Sequence, residues 1–241
     1  MTSRMAAGQT RPAEPVVTPV FLQSPEPPEL GASDASLVIW QRASDADLSA
    51  WLATLAVQQW PHARLTLSAE DVQAQLSALW NVQTGPCSAA RNALLADVQQ
   101  LLAWFSRLAG VPTVNLRLEA VTNNACRRWH QDSVPLRLIT TYCGPGTEWV
   151  APEYSQSTLS NADEDSPFAV QLQPFDVALF RGRGFPGQLQ EGGIVHRSPR
   201  IDGLGLRRLV LVLDVPKACS IVSPLTTRPA PAAIDRSAGA L

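Results

Sequence analysis

The chain has 241 residues, with 19 Lys and Arg against 21 Asp and Glu and a formal net charge of −2. That length serves one substantial core rather than two, and the near balance of charge offers no basic field for a nucleic-acid backbone or an anionic membrane surface. Met1 to Ala7 carries no apolar leader, and no stretch approaches the roughly 20 apolar residues that cross a bilayer, so a soluble, cytoplasmic protein is expected.

The opening residues are rich in Pro, Glu, Ser and Gly, which predicts a disordered arm over residues 1–36. From Ser44 to Gly110 the pattern is helical. Ser44 with Asp47 reads as a capping box ahead of Leu48, Trp51, Leu52 and Leu55, and Ser68 with Asp71 opens a second run through Val72, Leu76 and Leu79. A third, longer helix carries Leu94, Leu95, Val98, Leu101, Leu102 and Phe105, and Gly110 with Pro112 stops it.

After Pro112 the period becomes two. Strands are predicted at Val114 to Ala120, Leu136 to Tyr142, Ala169 to Leu172, Val177 to Phe180 and Leu209 to Val215, separated by glycine- and proline-bearing turns. The expected architecture is α+β: a single domain over 37–222, with helices at 44–110 packed as a layer on a jelly-roll core at 112–216. The tail, 223–241, is again Pro- and Ala-rich and is expected to be flexible. The stretch "PEYSQSTLSNADEDSP", Pro152 to Pro167, reads as a solvated loop, with a cover over a metal site as its sharper reading.

The chemistry gathers in "CRRWHQDS" and "EGGIVHRSPR". In a strand, positions i and i+2 share a face, so His130 and Asp132 approach one ion together while Gln131 turns away. His196 is the distant third ligand that a late jelly-roll strand can return to the first two. Two histidines and one carboxylate make the open facial arrangement of non-haem iron oxygenases. Arg207, which begins the strand "RRLVLVLD", supplies a guanidinium fork for the far carboxylate of a 2-oxo acid, and Arg208 is expected on the opposite strand face. Tyr142, or Thr140 on the same face, is a candidate hydroxyl for that carboxylate, and Arg137 a weaker competitor for Arg207.

The order H-x-D, distal His, then Arg resembles the Fe(II)/2-oxoglutarate dioxygenase superfamily. "WHQD" and "HRSP" resemble its phytanoyl-CoA hydroxylase-type members, and "RLITTYCGPGTEW" the prolyl-hydroxylase type. More specifically, "WHQD" and "LRLITTYCGPGTEWV" together with "HRSP" and "RRLVLVLD" resemble DUF1826, a bacterial family without an assigned activity, from the helices to Pro216. The superfamily resemblance implies a double-stranded β-helix, iron at His130, Asp132 and His196, and 2-oxoglutarate at Arg207.

The expected function is therefore an Fe(II)- and 2-oxoglutarate-dependent hydroxylase or demethylase acting on a small molecule or a protein side chain. The alternative is a non-catalytic, cupin-like zinc or other metal-binding protein, with Cys126 beside His130 as its thiolate. The other cysteines, Cys87, Cys143 and Cys219, form no C-x-x-C pair and read as reduced thiols. Trp129 and Trp149 are candidate pocket walls but more readily core, Arg181 and Arg183 could meet solvent or an anionic substrate, and His62 and Asp176 read as structural.

Overall fold

The computed structural model describes residues 19–30, 35–83, 88–124, 126–186 and 193–217. Its centre is a seven-stranded sheet made from β1 (Val20–Gln23), β2 (Leu37–Gln41), β3 (Ala63–Leu67), β4 (Val114–Val121), β5 (Leu136–Cys143), β8 (Val177–Arg181) and β10 (Arg208–Asp214). These lie in the order β1-β2-β8-β5-β10-β4-β3, antiparallel throughout except for the parallel β1–β2 pair. A second sheet, β7 (Val170–Gln171), β6 (Glu148–Trp149) and β9 (His196–Arg197), is extended by a single bridge from His196 to His130.

From β4 onward the chain alternates between sheets: β4 in the large one, the His130 bridge in the small one, β5 back in the large one, β6 and β7 in the small one, then β8, β9 and β10 in turn. The resulting orders, β4-β10-β5-β8 facing His130-β9-β6-β7, are those of a double-stranded β-helix. The α+β class and the jelly-roll core expected from the sequence are present.

Period two decides what each sheet face meets. On β5 and β10, Leu136, Leu138, Tyr142, Leu209, Leu211 and Leu213 face a helical layer, and all are buried. That layer is α1 (Ala46–Thr54), α2 (Val72–Gln83) and α3 (Ala89–Ala109). Leu94, Val98, Leu101, Leu102 and Phe105 of α3 are each fully buried, and each such side chain contributes roughly 1.5–3 kcal/mol. Gly110, at φ 63°, ends α3 by returning the Val111 amide to the Ser106 carbonyl. The opposite face of the large sheet, with Ile139, Ala178, Phe180 and Val210, meets Trp149, Leu172 and Ile194 inside the barrel.

Four expectations need correction. Val20–Gln23, in the predicted arm, pairs with β2, and its neighbour's run Leu37–Gln41 is nearly all buried, so the large sheet begins before residue 37. Ala63–Leu67, inside the stretch read as helical, is an edge strand whose Ala63, Leu65 and Leu67 face the helices while Arg64 and Thr66 face away. "PEYSQSTLSNADEDSP" is not a solvated loop. It forms a short 3-10 turn and α4 (Ser155–Ser160), whose following turn accepts the Trp129 indole N–H at the Glu164 carbonyl and the Trp129 amide at the Ala162 carbonyl. This segment packs Tyr154 and Leu159 against Trp129, Val150 and Val195 on the outside of the small sheet. The first helix is capped by Asp45, one residue past the predicted Ser44, through its side chain and the Leu48 amide. Residues 1–18 of the arm, the tail 223–241, and Cys87 and Cys219 lie outside the described residues. No helix among the described residues is long and apolar enough to cross a membrane.

Candidate metal centre

His130 and His196 are held side by side by reciprocal backbone hydrogen bonds of 3.1 and 3.0 Å, which set their rings 4.6 Å apart. Asp132 follows two residues after His130, with its side chain 5% exposed and one oxygen, Oδ2, 3.4 Å from His196 Nε2. One ligand atom from each of His130, Asp132 and His196 falls within 4.8 Å of the others. The three residues singled out in the sequence therefore converge.

Their protonation follows from their partners. His130 Nδ1 lies 2.8 Å from the Arg128 carbonyl and His196 Nδ1 3.3 Å from the Ile194 carbonyl. A carbonyl only accepts, so each Nδ1 carries a proton and Nε2 is the ring nitrogen left for ligation. Burial pushes His196 down to about 4, against the pull of the Asp132 charge, so its ring is neutral near pH 7. Phe180 lies against it at 4.5 Å.

Asp132 is the most telling member. Arg137 donates to Oδ1 and is itself gripped by Asp214 through two bonds of 2.6 and 2.9 Å. Oδ2 is buried with no hydrogen-bond partner among the described residues. A buried carboxylate oxygen without a donor is costly, and the neutral His196 Nε2 beside it does not donate. A divalent cation would satisfy all three atoms, and two imidazoles with one carboxylate suit a first-row metal. The residues present fit a metal ion.

The loop after β8 is shaped to this end. The Arg183 amide donates to the Asp132 carbonyl at 2.9 Å, and a Cβ at Gly182 would run into the carbonyls of Val134 and Asp132. The glycine in "RGRG" is thus explained by close approach to the metal strand.

The cluster opens on a cavity of about 90 Å³ whose wall includes Arg137, Ile139, Thr147, Arg208, Val210 and Val212. Arg208 is 1% exposed. It donates to the Pro145 carbonyl at 2.6 Å and approaches the hydroxyls of Thr141 and Thr147 at 3.3 Å each. Among the described residues no carboxylate lies within ion-pair distance of it. Burial lowers its pKa to about 10, with Glu148 the main charge opposing that fall. Glu148 is committed to Arg197 at 2.7 Å.

Arg207, expected to face the cavity, does not line it, whereas Arg208 does. Arg207 lies on the same strand face as Leu209 and Leu211, and its guanidinium stacks over the Trp60 ring at 5.0 Å, on the helical side. The sequence spacing was read without the turn: Gly144, at φ 80°, is pressed against the Arg207 carbonyl, where any Cβ would collide, and this contact sets the start of β10. Tyr142 is also on the helical side. Its hydroxyl donates to Asp97 Oδ2 at 2.6 Å, in a group completed by Arg42, and burial followed by the Asp97 charge raises its pKa well above 10. Thr140 shares that face, so Thr141, not Thr140 or Tyr142, is the β5 hydroxyl that meets Arg208.

Arg137 proves central, although it was read only as a weak competitor for the anchor. Burial alone would lower its pKa, but the hydrogen bond to Asp214 and the charges of Asp132 and Asp214 outweigh that and raise it. The signal was available, since period two puts Arg137 on one strand face with Ile139 and Thr141. Thr147 had no signal, because only the tertiary fold brings its turn to Arg208. Cys126, at φ 56°, lines the cavity, but its sulfur is not among the grouped ligand atoms. Trp129 sits outside the small sheet under the Arg197 guanidinium at 4.4 Å, and Trp149 belongs to the barrel interior. Arg181 stacks on Phe185 away from the cluster, Asp176 caps its own turn at Gln173, and His62 lies beside the Trp60 carbonyl, outside the metal group.

Comparison with known proteins gives the following. No curated protein matches the sequence. Among solved structures, the dioxygenase for auxin oxidation from rice is similar with a TM-score of 0.45 and 13% identity, over 79% of this chain and 78% of that one. The dioxygenase for auxin oxidation 1 from Arabidopsis thaliana, solved with 2-oxoglutarate, gives 0.44 and 10% over 77% and 85%. A prolyl-4-hydroxylase from Pseudomonas putida gives 0.31 and 15% over 70% and 92%. The family model described as a protein of unknown function, DUF1826, matches residues 29–214, most of the chain, and so the chain belongs to the DUF1826 family.

Proposed function

We propose that this chain is an Fe(II)- and 2-oxoglutarate-dependent oxygenase, of the hydroxylase or demethylase kind. One observation carries the reading: His130 and His196, grouped with the unsatisfied Asp132 Oδ2, line the same small cavity as the buried Arg208, which among the described residues has no carboxylate within ion-pair distance. A metal cluster alone needs no buried cation nearby. A buried guanidinium without a counter-ion is costly, and a carboxylate arriving with a cosubstrate would satisfy it.

In this reading His130, Asp132 and His196 hold iron. Iron with a 2-oxo acid supplies the oxidising power of O₂ for attack on a C–H bond. The chain's own work is orientation. Arg137 occupies Oδ1 of Asp132 and leaves Oδ2 for the metal, and Asp214 fixes Arg137 from behind. Arg208, with Thr141 and Thr147, takes the far carboxylate, and Ile139, Val210 and Val212 keep the space between them apolar.

Anaerobic titration of the Fe(II)-loaded protein with 2-oxoglutarate tests this. The expected result is a visible metal-to-ligand charge-transfer band that saturates at one equivalent, followed by succinate release when O₂ is admitted. Absence of both the band and binding overturns the oxygenase. The zinc alternative relied on a thiolate at Cys126, and with that sulfur outside the ligand group it has the weaker support.

A further inference from the structure

The segment between β8 and β9, which delivers His196 to the cluster, is tied to the strand of the first two ligands at both ends. At its start the Arg183 amide donates to the Asp132 carbonyl at 2.9 Å. At its end the Gln131 side chain donates from Nε2 to the Gly193 carbonyl at 2.6 Å, and three residues later His196 exchanges its backbone bonds with His130. Two of these ties are made by the main chain and survive any substitution. The tie at Gly193 depends on what residue 131 is.

Gln131, expected to turn away from the metal, is outside the cavity wall. Its side chain lies along Gly193 instead, where a Cβ would meet its Cβ, Cγ and Cδ at 3.6–3.7 Å, an ordinary contact. Space therefore does not demand glycine at 193, and the specific part of the contact is the hydrogen bond. What that bond holds matters for His196. Residues 193–196 are buried, and the Ile194 carbonyl is the partner of His196 Nδ1, at 3.3 Å. So long a bond cannot direct the ring if the carbonyl itself turns. The Ile194 carbonyl keeps its direction because the peptides on either side of it are pinned, the one before at the Gly193 carbonyl by Gln131 and the one after at the Val195 carbonyl by the Val150 amide, at 3.0 Å. His130 has no such dependence, since its Nδ1 lies 2.8 Å from the Arg128 carbonyl on its own strand.

We propose that Gln131 is a positioning residue of the metal centre: by holding the Gly193 carbonyl it fixes the backbone that aims the His196 ring, and so sets how firmly His196, and not His130, offers Nε2 to a metal ion. This rests on the metal reading of the triad and is independent of cosubstrate and substrate. Removing the direct partner of a metal-bound histidine costs about ten- to hundred-fold in metal affinity. Gln131 acts one bond further out, so the lower end of that range, about ten-fold, is expected for its loss.

The test uses the full chain and Co(II) as the probe metal, with two readouts: affinity, by competition with a chelating dye, and the proton spectrum of the Co(II)-loaded protein, in which each coordinated imidazole gives one shifted, exchangeable N–H signal. The His196 signal is identified by its Overhauser contact with the Phe180 ring, which lies against it. Gln131→Met keeps the length of the side chain and removes the donor. It should bind Co(II) about ten-fold more weakly, and the His196 N–H should move and exchange faster with solvent while that of His130 stays. Gln131→Lys restores a donor but adds a positive charge that opposes a cation, so recovery of affinity and of the His196 signal there can come only from the bond. Gly193→Ala leaves the carbonyl in place and should behave as the wild type. If the wild type binds no Co(II), the metal centre itself fails and takes this proposal with it. If the centre binds but Gln131→Met matches the wild type, or shifts both imidazole signals alike, the positioning role is overturned. It is overturned as well if Gln131→Lys is as weak as Gln131→Met, or if Gly193→Ala is equally weak, which would make the contact one of packing.

Discussion

The two faces of β5 and β10 are built from alternate residues of the same strands, yet they obey different rules. Toward the helices stand Leu136, Leu138, Leu209, Leu211 and Leu213, and their stabilisation is additive and non-directional, growing with the area removed from water. Toward the barrel stand Arg137, Thr141, Arg208 and Asp214, where each group must find a partner in a fixed direction. On the first face the buried Thr140 hydroxyl is the one β5 group without a partner among the described residues. The second is complete except at Asp132 Oδ2 and Arg208, and those two gaps are where a metal and an anion fit. Damage to the first face should appear as lost stability, and damage to the second as lost binding.

The largest effect is expected at the metal. Asp132→Ala removes the oxygen that no protein donor satisfies and leaves two imidazoles alone, so metal content after reconstitution, read by atomic emission, should fall at least about ten-fold, and His130→Ala and His196→Ala should do likewise. His62→Ala should keep its metal. Equal losses in all four variants would mean that folding was being measured.

On the helical face, Leu211→Ala leaves a void in a fully buried layer between β10 and the helices. The expected cost is about 2–5 kcal/mol by chemical denaturation, with metal content and cosubstrate affinity unchanged at temperatures where the variant is folded. If metal binding falls in step with stability, the two faces are not separable.

These two faces also show what could be read in advance. Alternation over Leu209 to Leu213 and 3.6-periodicity over Leu94 to Phe105 located the strand, the helix and the core between them, because each pattern repeats several times. The pairing of His130 with Asp132 needed only a two-residue step. Arg207 against Arg208, and Tyr142 against Thr141, depended on where a strand begins, and a one-residue slip exchanges the faces. The glycine contact that sets this register, Gly144 against the Arg207 carbonyl, joins residues far apart in sequence. β3 was hidden because Ala63 to Leu67 is short and lies between helices, and the role of Thr147 because a turn residue carries no period.

The register can be tested directly. Arg208→Ala removes a buried fork that faces the cavity, and 2-oxoglutarate should bind roughly ten- to hundred-fold more weakly to the Fe(II)-loaded protein by calorimetry, with metal retained. Arg207→Ala loses only its stacking on Trp60, worth about 0.5–1 kcal/mol of stability at such a site, and should bind 2-oxoglutarate as the wild type does. The reverse outcome would put β10 one residue out of register.

The smallest effect is expected at Tyr142, where the two faces come closest in sequence. Its hydroxyl bonds Asp97, not the cavity, so Tyr142→Phe removes one hydrogen bond and leaves the ring in its edge contact with Phe175. Asp97 is not stranded by the change, because Arg42 still holds both its oxygens at 2.5 and 3.3 Å. The full price of an orphaned carboxylate is therefore avoided, and a loss of about 1 kcal/mol in denaturant is expected, below that of a bond to an otherwise unpaired charge. Iron and 2-oxoglutarate affinities should not move. Thr141→Val, one residue away on the opposite face, should do the converse, weakening 2-oxoglutarate while leaving stability nearly as it was, since it loses only a 3.3 Å contact to Arg208. If Tyr142→Phe weakened the cosubstrate and Thr141→Val did not, the division of β5 into a helix face and a cavity face would be wrong at its C-terminal end.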